Sequence, residues 1–328
     1  MTIARPFLKW AGGKHRVVSE LLKITNEFPP LDCDWKVGVG SRYHEPFLGS
    51  GAMYFGMKDE GMISTRKDSY LSDLNPALIN AMQVVGDAKL LESLIPILKS
   101  WQNQYGKEGP VPKNSSQVLR EEGMYYKKRW LMNQYFGRMG LESDKVRIEF
   151  AALMIFLNKT CFNGLWRMNR QGLFNVPEGD YVAPRNICQE ELLRSCNQLL
   201  KGTKIERMDW RDSIKRSKSG DLVYLDPPYM PLKIDDRVFN SYYTDGFDFE
   251  DQRELSLAAA AAASRGVRVI ASNHDALGEP TIREIYGNSA ADVGCEIEIK
   301  PIQVGRNISC KGHGRVKVNE VLIFMGPN

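Results

Sequence analysis

The sequence predicts an α/β protein with a doubly wound sheet. A short apolar run from Leu222 to Leu225 is followed at once by Asp226 and two prolines, which indicates a buried parallel strand that ends there, because proline has no ladder donor. A glycine turn around Gly49 leads from a strand end into a helix start, and a further strand ends at Asp73. Strand-like and helical segments alternate again after Tyr181. Ligands of such sheets bind beyond the carboxyl ends of the strands, so these turns are the candidate functional positions.

Length and composition limit the possible number of domains, the kinds of partner and the cellular compartment. The 328 residues suffice for one large domain or two, and the hydrophobic share of 43% provides a substantial core. The net charge of +4 permits a polyanionic partner without requiring one. The six cysteines have no paired spacing, which indicates reduced thiols rather than a disulfide frame or a metal site. No apolar run approaches the ~18 residues of a membrane span, and the N-terminus has no apolar signal region, so we expect a cytoplasmic protein that does not enter a membrane.

The N-terminal segment carries a candidate ligand-binding turn. Gly12 and Gly13 allow a close backbone approach to a ligand at the start of a helix predicted over Val17 to Ile24, and Lys14 could neutralise a carboxylate or phosphate there. The turn is not a P-loop, because the required glycine and lysine spacing is absent.

The segment from Tyr43 to Phe55 is typical of a strand, a glycine turn and a helix start. Its Gly49-Ser-Gly51 turn is shorter than a dinucleotide fingerprint. Asp73, at the end of the next strand, is placed to accept hydrogen bonds from ribose hydroxyls. The alternative is that Asp73 caps a helix that begins at Pro76.

The middle of the chain is predicted to be mainly helical. Residues 77 to 100 form a helix, residues 101 to 128 form a loop or insertion because Gly, Pro, Ser, Lys and Glu dominate, and residues 144 to 158 form a buried helix. The stretch after Asn158 mixes cations, amides and aromatics, which is typical of a DNA-reading loop; its members are Lys159, Phe162, Asn163, Trp166, Arg167, Asn169 and Arg170. The alternative is a polar loop whose aromatics pack locally.

The last third returns to an α/β pattern. The predicted elements are a helix at Glu190–Leu200, a strand at Lys204–Met208 that leads to Asp209 and Trp210, a helix at Asp248–Ser264, a strand at Val267–Ser272, and paired strands at Glu296–Val304 and Lys317–Met325. Between the paired strands, a basic glycine-rich tip holds Arg306, Lys311 and Arg315. It is either a phosphate-contacting loop or a solvated surface loop.

In combination, these motifs resemble the Dam-type (alpha-class, D12) DNA adenine methyltransferases, which use S-adenosylmethionine. The motifs that carry the resemblance are Phe7–Lys14, Glu45–Gly51, Asp73, Asp209-Trp210, Asp226-Pro227-Pro228-Tyr229 and Ser272–Asp275, in that order. The resemblance implies a Rossmann-like methyltransferase sheet with an inserted, mainly helical DNA-recognition domain. The catalytic and cofactor domain would comprise residues 1–80 and 186–328, and target recognition residues 81–185.

The resemblance also implies a cofactor site and a DNA interface. The cofactor would be bound by Trp10, Ala11, Gly12, Lys14, Phe47, Gly49, Asp73, Asp209, Trp210 and Asp226. Lys9 would contact the first guanine of GATC, and Phe162 would intercalate where the family often has tyrosine. Asn163 and Arg167 would read bases, and Arg306 and Arg315 would contact phosphates of double-stranded DNA. No obligatory protein partner is implied.

The implied catalytic group is Asp226, Pro227, Pro228 and Tyr229. The Asp226 carboxylate and the Pro227 carbonyl would accept hydrogen bonds from the target amine, and Tyr229 would stack on a flipped-out base. No metal is required by this chemistry. Four alternatives remain: methylation of the exocyclic amine of cytosine, adenine methylation at a site other than GATC, an RNA or protein amide methyltransferase, and a DNA-binding regulator without activity.

Overall fold

The computed structural model describes residues 5–10, 15–27, 29–64, 69–112, 116, 122–136, 143–180, 186–229, 247–275, 280–304 and 318–327. The chain divides into two compact units. The first comprises Met1–Gly13, Gly49–Phe55 and Asn75–Ile205, and the second comprises Lys14–Leu48, Gly56–Leu74 and Glu206–Asn328.

A seven-stranded sheet in the order β3-β2-β1-β4-β5-β7-β6 organises the second unit, except that the first two residues of β3 are assigned to the first unit. The strands are β1 Tyr43–Glu45, β2 Ser69–Asp73, β3 Lys204–Arg207, β4 Leu222–Leu225, β5 Arg268–His274, β6 Glu296–Val304 and β7 Val318–Gly326. Strand β1 pairs in parallel with β2 and β4, β4 pairs in parallel with β5, and β7 is antiparallel to β5 and β6. The predicted α/β class is therefore confirmed. The strand order reverses between β1 and β4, where ligands of such sheets bind.

The two faces of this sheet differ in chemistry because side chains alternate along a strand. One face carries an apolar cluster that includes Val223, Leu225, Val269, Ala271 and Ile323, covered by helices. The helices described in this unit are α1 His15–Glu27, α8 Trp210–Arg216, α9 Phe249–Ser264 and α10 Ile282–Val293; α2, Ala52–Asp59, crosses the division between the units. The opposite face combines buried apolar side chains, among them Leu222, Ile270 and Phe324, with the polar groups described with the functional site.

The first unit is helical around one buried helix, α6 (Asp144–Thr160), in which most side chains are inaccessible. The other helices are α3 Pro76–Gly86, α4 Ala88–Glu108, α5 Met124–Phe136 and α7 Glu190–Leu200, and a single 3-10 turn, Phe162–Gly164, follows α6. The prediction of a buried helix over 144–158 is confirmed.

Two predictions in this unit are wrong. The helix predicted over 77–100 is two helices, because Asp87 ends α3 and its side chain accepts hydrogen bonds from the first N–H groups of α4. The loop predicted over 101–128 is helical at both ends, since α4 continues to Glu108 and α5 begins at Met124. Buried Tyr105 and Tyr125 anchor these turns, and tertiary packing overrides the polar composition.

Strand β5 is also longer than predicted. It continues past Ser272 to His274, because β7 pairs with it as far as Glu320. The other boundaries predicted after residue 186 agree with the structure to within about two residues, the usual disagreement at element ends.

The described cysteines, Cys33, Cys161, Cys188, Cys196 and Cys295, are free thiols, as predicted. Burial raises the pKa of Cys161 and Cys196 to about 12, which keeps both protonated and unreactive at neutral pH. Among the helices in the described ranges, none is both long and apolar enough to cross a membrane.

Candidate functional site

The residues that follow β4 form the centre of the candidate site. Asp226 is half-buried, Pro227 is buried and Pro228 is exposed. The hydroxyl of Ser272, on neighbouring strand β5, donates a hydrogen bond to Asp226 Oδ1 at 3.0 Å, and the hydroxyl of Tyr224 donates to Ser272 Oγ at 2.9 Å. These two bonds hold the carboxylate in one orientation.

The Tyr224 hydroxyl is locked as a donor. Burial, and next the negative charge of Asp226, raise the pKa of Tyr224 well above its ordinary value, so the phenol keeps its proton throughout the physiological range. Because Ser272 accepts this proton, its own proton is directed at Asp226. Tyr224 was predicted only as part of a buried strand.

The ring of Tyr229 is fixed at the same edge of the sheet. Its hydroxyl donates to Glu320 Oε2 at 3.2 Å, and its ring centroid lies 4.2 Å from that of His274, at an angle of 59°. A held ring is suited to stacking against a planar base.

Sequence analysis assigned no individual role to two buried acids, one of which, Glu45, begins the Glu45–Gly51 motif. Glu45 is 2% exposed and accepts a hydrogen bond from the Tyr43 hydroxyl at 2.8 Å, and Glu320 is 4% exposed. Both project from the same face of the sheet as Tyr224 and Ser272. The alternation of positions along β1 and β7 was the available signal, but their neighbours on β4 and β5 could not be known from it.

An aromatic group lies just beyond β1 in the second unit. Phe47 is half-buried, stacks on Trp210 with ring centroids 6.4 Å apart, and meets Phe247 edge-on at 5.9 Å. Trp210 is buried, and the Arg211 guanidinium lies 4.3 Å from its ring centroid. A partly exposed ring on a rigid aromatic support fits one face of a purine.

Asp73 ends β2 and is half-buried. It does not cap helix α3: the N-cap is Asn75, whose Oδ1 accepts hydrogen bonds from Ala77 N–H at 3.0 Å and Leu78 N–H at 3.2 Å. The capping alternative for Asp73 is therefore wrong. A carboxylate at this strand end can accept hydrogen bonds from ribose hydroxyls, so together with Phe47 the second unit offers acceptor and stacking groups suited to a nucleoside.

Asp209 has an evident structural task. It is the N-cap of α8 and accepts the Arg211 N–H at 2.8 Å, and the Arg211 guanidinium joins it to Asp251 and Glu254 on α9. Its implied contact with the cofactor stays a prediction.

In the first unit, Trp10 and Gly49 are in close contact. A Cβ added at Gly49 would lie 3.0 Å from Trp10 Cδ1, and Gly49 has a φ of +49°, so both space and backbone favour glycine there. Trp10 also stacks on Trp166, with ring centroids 6.2 Å apart and planes inclined by 21°. The other N-terminal cofactor residues predicted, Ala11, Gly12 and Lys14, lie outside the described residues.

The predicted base-reading residues share one exposed segment of the first unit. Phe162 is 42% exposed, a high value for a phenylalanine, and Asn163 is exposed in a left-handed conformation with φ +54°. Arg167 is exposed, and its Nε donates to Asn175 Oδ1 at 2.8 Å. Lys9 is exposed beside this segment, where Asn158 binds its main chain. Arg306, Lys311 and Arg315 lie outside the described residues.

Helix α5 braces this segment. The bracing was not predicted, because the first turns of α5 were assigned to a loop. Tyr125 and Arg129 donate to the carbonyl of Val176 at 2.8 and 3.2 Å. The Asn133 side chain forms two hydrogen bonds with the main chain of Phe174, at 2.9 and 3.1 Å. The segment is thus held by a neighbouring helix rather than by its own aromatics alone.

Within the described ranges, no group of three or more His, Cys, Asp and Glu side chains is arranged to hold a metal ion. The expectation of metal-free chemistry stays a prediction.

Comparison with known proteins agrees with this chemistry. The model of a family described as D12 class N6 adenine-specific DNA methyltransferase matches residues 10–297. The chain is 32% identical over 321 residues to the Type II methyltransferase M.MjaIII of Methanocaldococcus jannaschii, covering 98% of each protein. It is 31% identical over 326 residues to a DNA adenine methylase of Vibrio cholerae serotype O1, covering 99% of this chain and 97% of that one. With the DNA adenine methylase of Escherichia coli K12 it shares 30% identity over 327 residues, which cover 98% and 96% of the two chains.

Proposed function

Because the chain belongs to the D12 class of N6 adenine-specific DNA methyltransferases, whose model it matches over residues 10–297, we propose that it methylates the exocyclic amine of adenine within GATC in double-stranded DNA. The methyl donor is S-adenosylmethionine, as the family implies. Membership of an adenine-specific family favours adenine over the cytosine and non-DNA alternatives.

The observation that carries the catalytic assignment is the held carboxylate of Asp226. It follows β4 at the edge of the sheet where the strand order reverses, and Ser272 donates to it at 3.0 Å. A rigid diproline and the supported ring of Tyr229 come directly after it. Position and chemistry together suit an acceptor for a planar amine.

The residues of this group have distinct roles in the proposed reaction. The lone pair of adenine's exocyclic amine is delocalised into the ring and is a poor nucleophile. Asp226 and the main-chain carbonyl of Pro227 accept hydrogen bonds from the two N–H groups of the amine, which favours a tetrahedral nitrogen with a localised lone pair. The nitrogen attacks the sulfonium methyl, the carbon–sulfur bond breaks, and one N–H proton is released. Tyr229 stacks on the base after it has left the duplex. Positioning of these groups supplies most of the rate.

The residues proposed to bind the cofactor are considered unit by unit. In the second unit, Phe47 on its Trp210 support offers an aromatic surface, and Asp73 offers a carboxylate for ribose hydroxyls. In the first unit, Trp10 and Gly49 belong to the same proposed set. S-adenosylmethionine supplies an electrophilic methyl group on a sulfonium.

The choice of GATC rests on four exposed residues of the first unit. Lys9 and Arg167 are proposed to read guanines, while Phe162 enters the base stack and Asn163 contacts base edges. Their exposure on one segment supports a shared interface. The alternative that remains is adenine methylation at another short site.

One experiment tests reaction and site together. Plasmid lacking adenine methylation is incubated with the protein and S-adenosylmethionine, then mapped by modified-base sequencing and by restriction enzymes sensitive to methylated GATC. We expect N6-methyladenine at GATC, and no product from Asp226→Ala, which retains cofactor binding within a few-fold. Methylated cytosine, or near-normal turnover by Asp226→Ala, would contradict the catalytic assignment. Methyladenine at a different sequence would contradict only the proposed site.

A further inference from the structure

Asn158 joins two distant parts of the recognition surface. It lies in α6 with 2% exposure, and Lys9 N–H donates to its Oδ1 at 2.8 Å across 149 positions of sequence. Its Nδ2 donates to the carbonyl of Lys9 at 2.7 Å. One buried amide therefore satisfies both main-chain groups of Lys9, while the lysine side chain remains exposed.

The same amide also contacts the turn that carries Phe162 and Asn163. Asn158 Nδ2 donates to the carbonyl of Gly164 at 3.3 Å. Gly164 has a φ of +66°, and a Cβ at this position would lie 2.6 Å from Lys9 Cβ, closer than real contacts allow. Lys9 and the turn are thus in direct contact, with Asn158 hydrogen-bonded to both.

An aromatic contact at Trp10, the residue after Lys9, forms a second link to the recognition segment. Trp10 stacks on Trp166, and Trp166 packs against Phe174 with ring centroids 5.0 Å apart. Residues 9 and 10 are therefore held on the recognition segment at two points, one polar and one aromatic.

We propose that Asn158 is a specificity-determining positioning residue: it sets the distance between Lys9 and the Phe162–Gly164 turn, so that Lys9 and Arg167 meet bases at a fixed spacing. The inference rests on the proposed function, in which Lys9 reads a base. Successive base pairs are stacked about 3.4 Å apart, and a hydrogen bond weakens over a few tenths of an ångström. A lysine side chain is long and flexible, so its selectivity depends on where the backbone places it.

A purely structural role predicts a different result. Asn197 is comparable in burial at 6% exposure, and its Nδ2 donates to the carbonyl of Val85 at 2.8 Å, in the same unit. Losing such a bond lowers the stability of the unit and affects methylation at every DNA sequence alike. Losing a positioning residue instead changes discrimination at one base pair.

The experiment measures methylation of a DNA library that contains every single-base variant of the site found for the wild type. The variants are Asn158→Ala, Asn158→Asp, which keeps an acceptor but loses both donors, Gly164→Ala, Lys9→Ala, Lys9→Ala with Asn158→Ala, and the control Asn197→Ala. We expect Asn158→Ala and Asn158→Asp to lose about tenfold or more of the discrimination at the position that Lys9→Ala relaxes. The double variant should be no more relaxed than Lys9→Ala, and Asn197→Ala should keep the wild-type preference.

Gly164→Ala displaces Lys9 from the side of the turn, and it tests the inference if Asn158→Ala does not fold. We expect Gly164→Ala to relax the same base position. The inference is overturned if Asn158 and Gly164 variants lose activity equally at all sequences, or if they relax a position that Lys9→Ala leaves unchanged. Failure of the proposed function is visible in the wild type alone, as absence of methyladenine, and the inference would fall with it. If Lys9→Ala relaxes no position, only the inference fails.

Discussion

At the scale of single residues, two hydroxyls on one face of the sheet explain how the carboxylate of Asp226, the proposed catalytic group, is held in one orientation. Each hydroxyl in the chain from Tyr224 through Ser272 to Asp226 has a single proton, so donating it fixes the direction of the whole chain. The carboxylate is oriented before any substrate arrives, and this is the condition under which positioning contributes to rate.

The first prediction concerns this chain of hydroxyls. Hydrogen bonds to charged groups contribute about 1.5–3 kcal/mol, so Ser272→Ala should lower kcat by roughly 10- to 100-fold. The Kd of the cofactor should stay within a few-fold. Ser272→Thr keeps the hydroxyl and should recover most of the rate. Single-turnover methylation of duplex DNA and calorimetry with S-adenosylmethionine measure the two quantities.

Tyr224→Phe tests whether the hydrogen bonds run from Tyr224 through Ser272 to Asp226. It should slow the wild type but have little further effect in a Ser272→Ala background, because the tyrosine acts through Ser272. Tyr286→Phe is a matched control: Tyr286 is equally buried, burial also raises its pKa, and its hydroxyl accepts from Gln252 on the other side of the sheet. It should lower stability without changing kcat. Additive losses of kcat in the double variant would contradict the proposal that Tyr224 acts through Ser272.

Sequence reasoning identified the candidate residues as separate local motifs but not the contacts between those motifs. Asp226 to Tyr229 form one local motif, and Phe162 to Arg167 form another. Ser272 lies 46 positions from Asp226, and Asn158 lies 149 from Lys9. Contacts over such separations depend on strand register and helix packing, which no local pattern contains.

At the scale of elements, the strands were predictable, whereas helices α5 and α10 were not predicted. The alternating apolar residues of β6 and β7 identify them directly, and Asp248 and Thr281 cap α9 and α10 with full capping boxes. Helix α5 begins with the sequence Met-Tyr-Tyr-Lys-Lys-Arg-Trp, and only three of its side chains, Met124, Tyr125 and Met132, are buried. Its stability comes from packing on α6, and composition alone therefore suggested a loop.

Asp221 connects two neighbouring strands at the other end of the sheet. Its Oδ1 accepts from Arg42 N–H at 2.9 Å, just before β1, and its Oδ2 lies 3.0 Å from His44 Nε2. Burial alone would raise the pKa of Asp221, but the hydrogen bonds from His44 and the Lys218 N–H outweigh it and lower the pKa. The folded protein therefore favours the ionised carboxylate more than the unfolded chain does.

A lowered pKa fixes the sign of the pH dependence. The contribution of Asp221 to stability is complete above its unfolded pKa, about 3.9, and is lost as the pH falls through the lower folded pKa. Asp221→Asn should reduce the free energy of unfolding by about 1–3 kcal/mol at pH 7, with a shrinking deficit below about pH 4. Urea unfolding at several pH values measures this. The exposed pair of Glu250 and Arg253 is the control, and Glu250→Gln should cost less than about 1 kcal/mol. A deficit independent of pH would show that the carboxylate charge is not its cause.

At the scale of the whole molecule, the two compact units carry different parts of the proposed reaction. The described residues that are proposed to read bases belong to the first unit, and Asp226 with its hydrogen-bond partners belongs to the second. The net charge of +4 is modest for a protein that binds a polyanion. Affinity for DNA must therefore come from locally placed cations rather than from the overall field.

The last prediction separates base contacts from phosphate contacts. Arg167 is proposed to read a guanine, so Arg167→Ala should cost about 1–3 kcal/mol at one base pair and permit methylation of sites degenerate there. Arg315 lies outside the described residues, and its proposed phosphate contact rests on the sequence. Arg315→Ala should weaken all DNA sequences alike and reduce the slope of log affinity against log salt by about 0.9. The measurement is binding and methylation of the single-base library at several salt concentrations. A uniform loss of methylation for Arg167→Ala, with every base position still discriminated, would show that Arg167 contacts the DNA phosphate backbone instead. The adenine specificity of the family would stand unchanged.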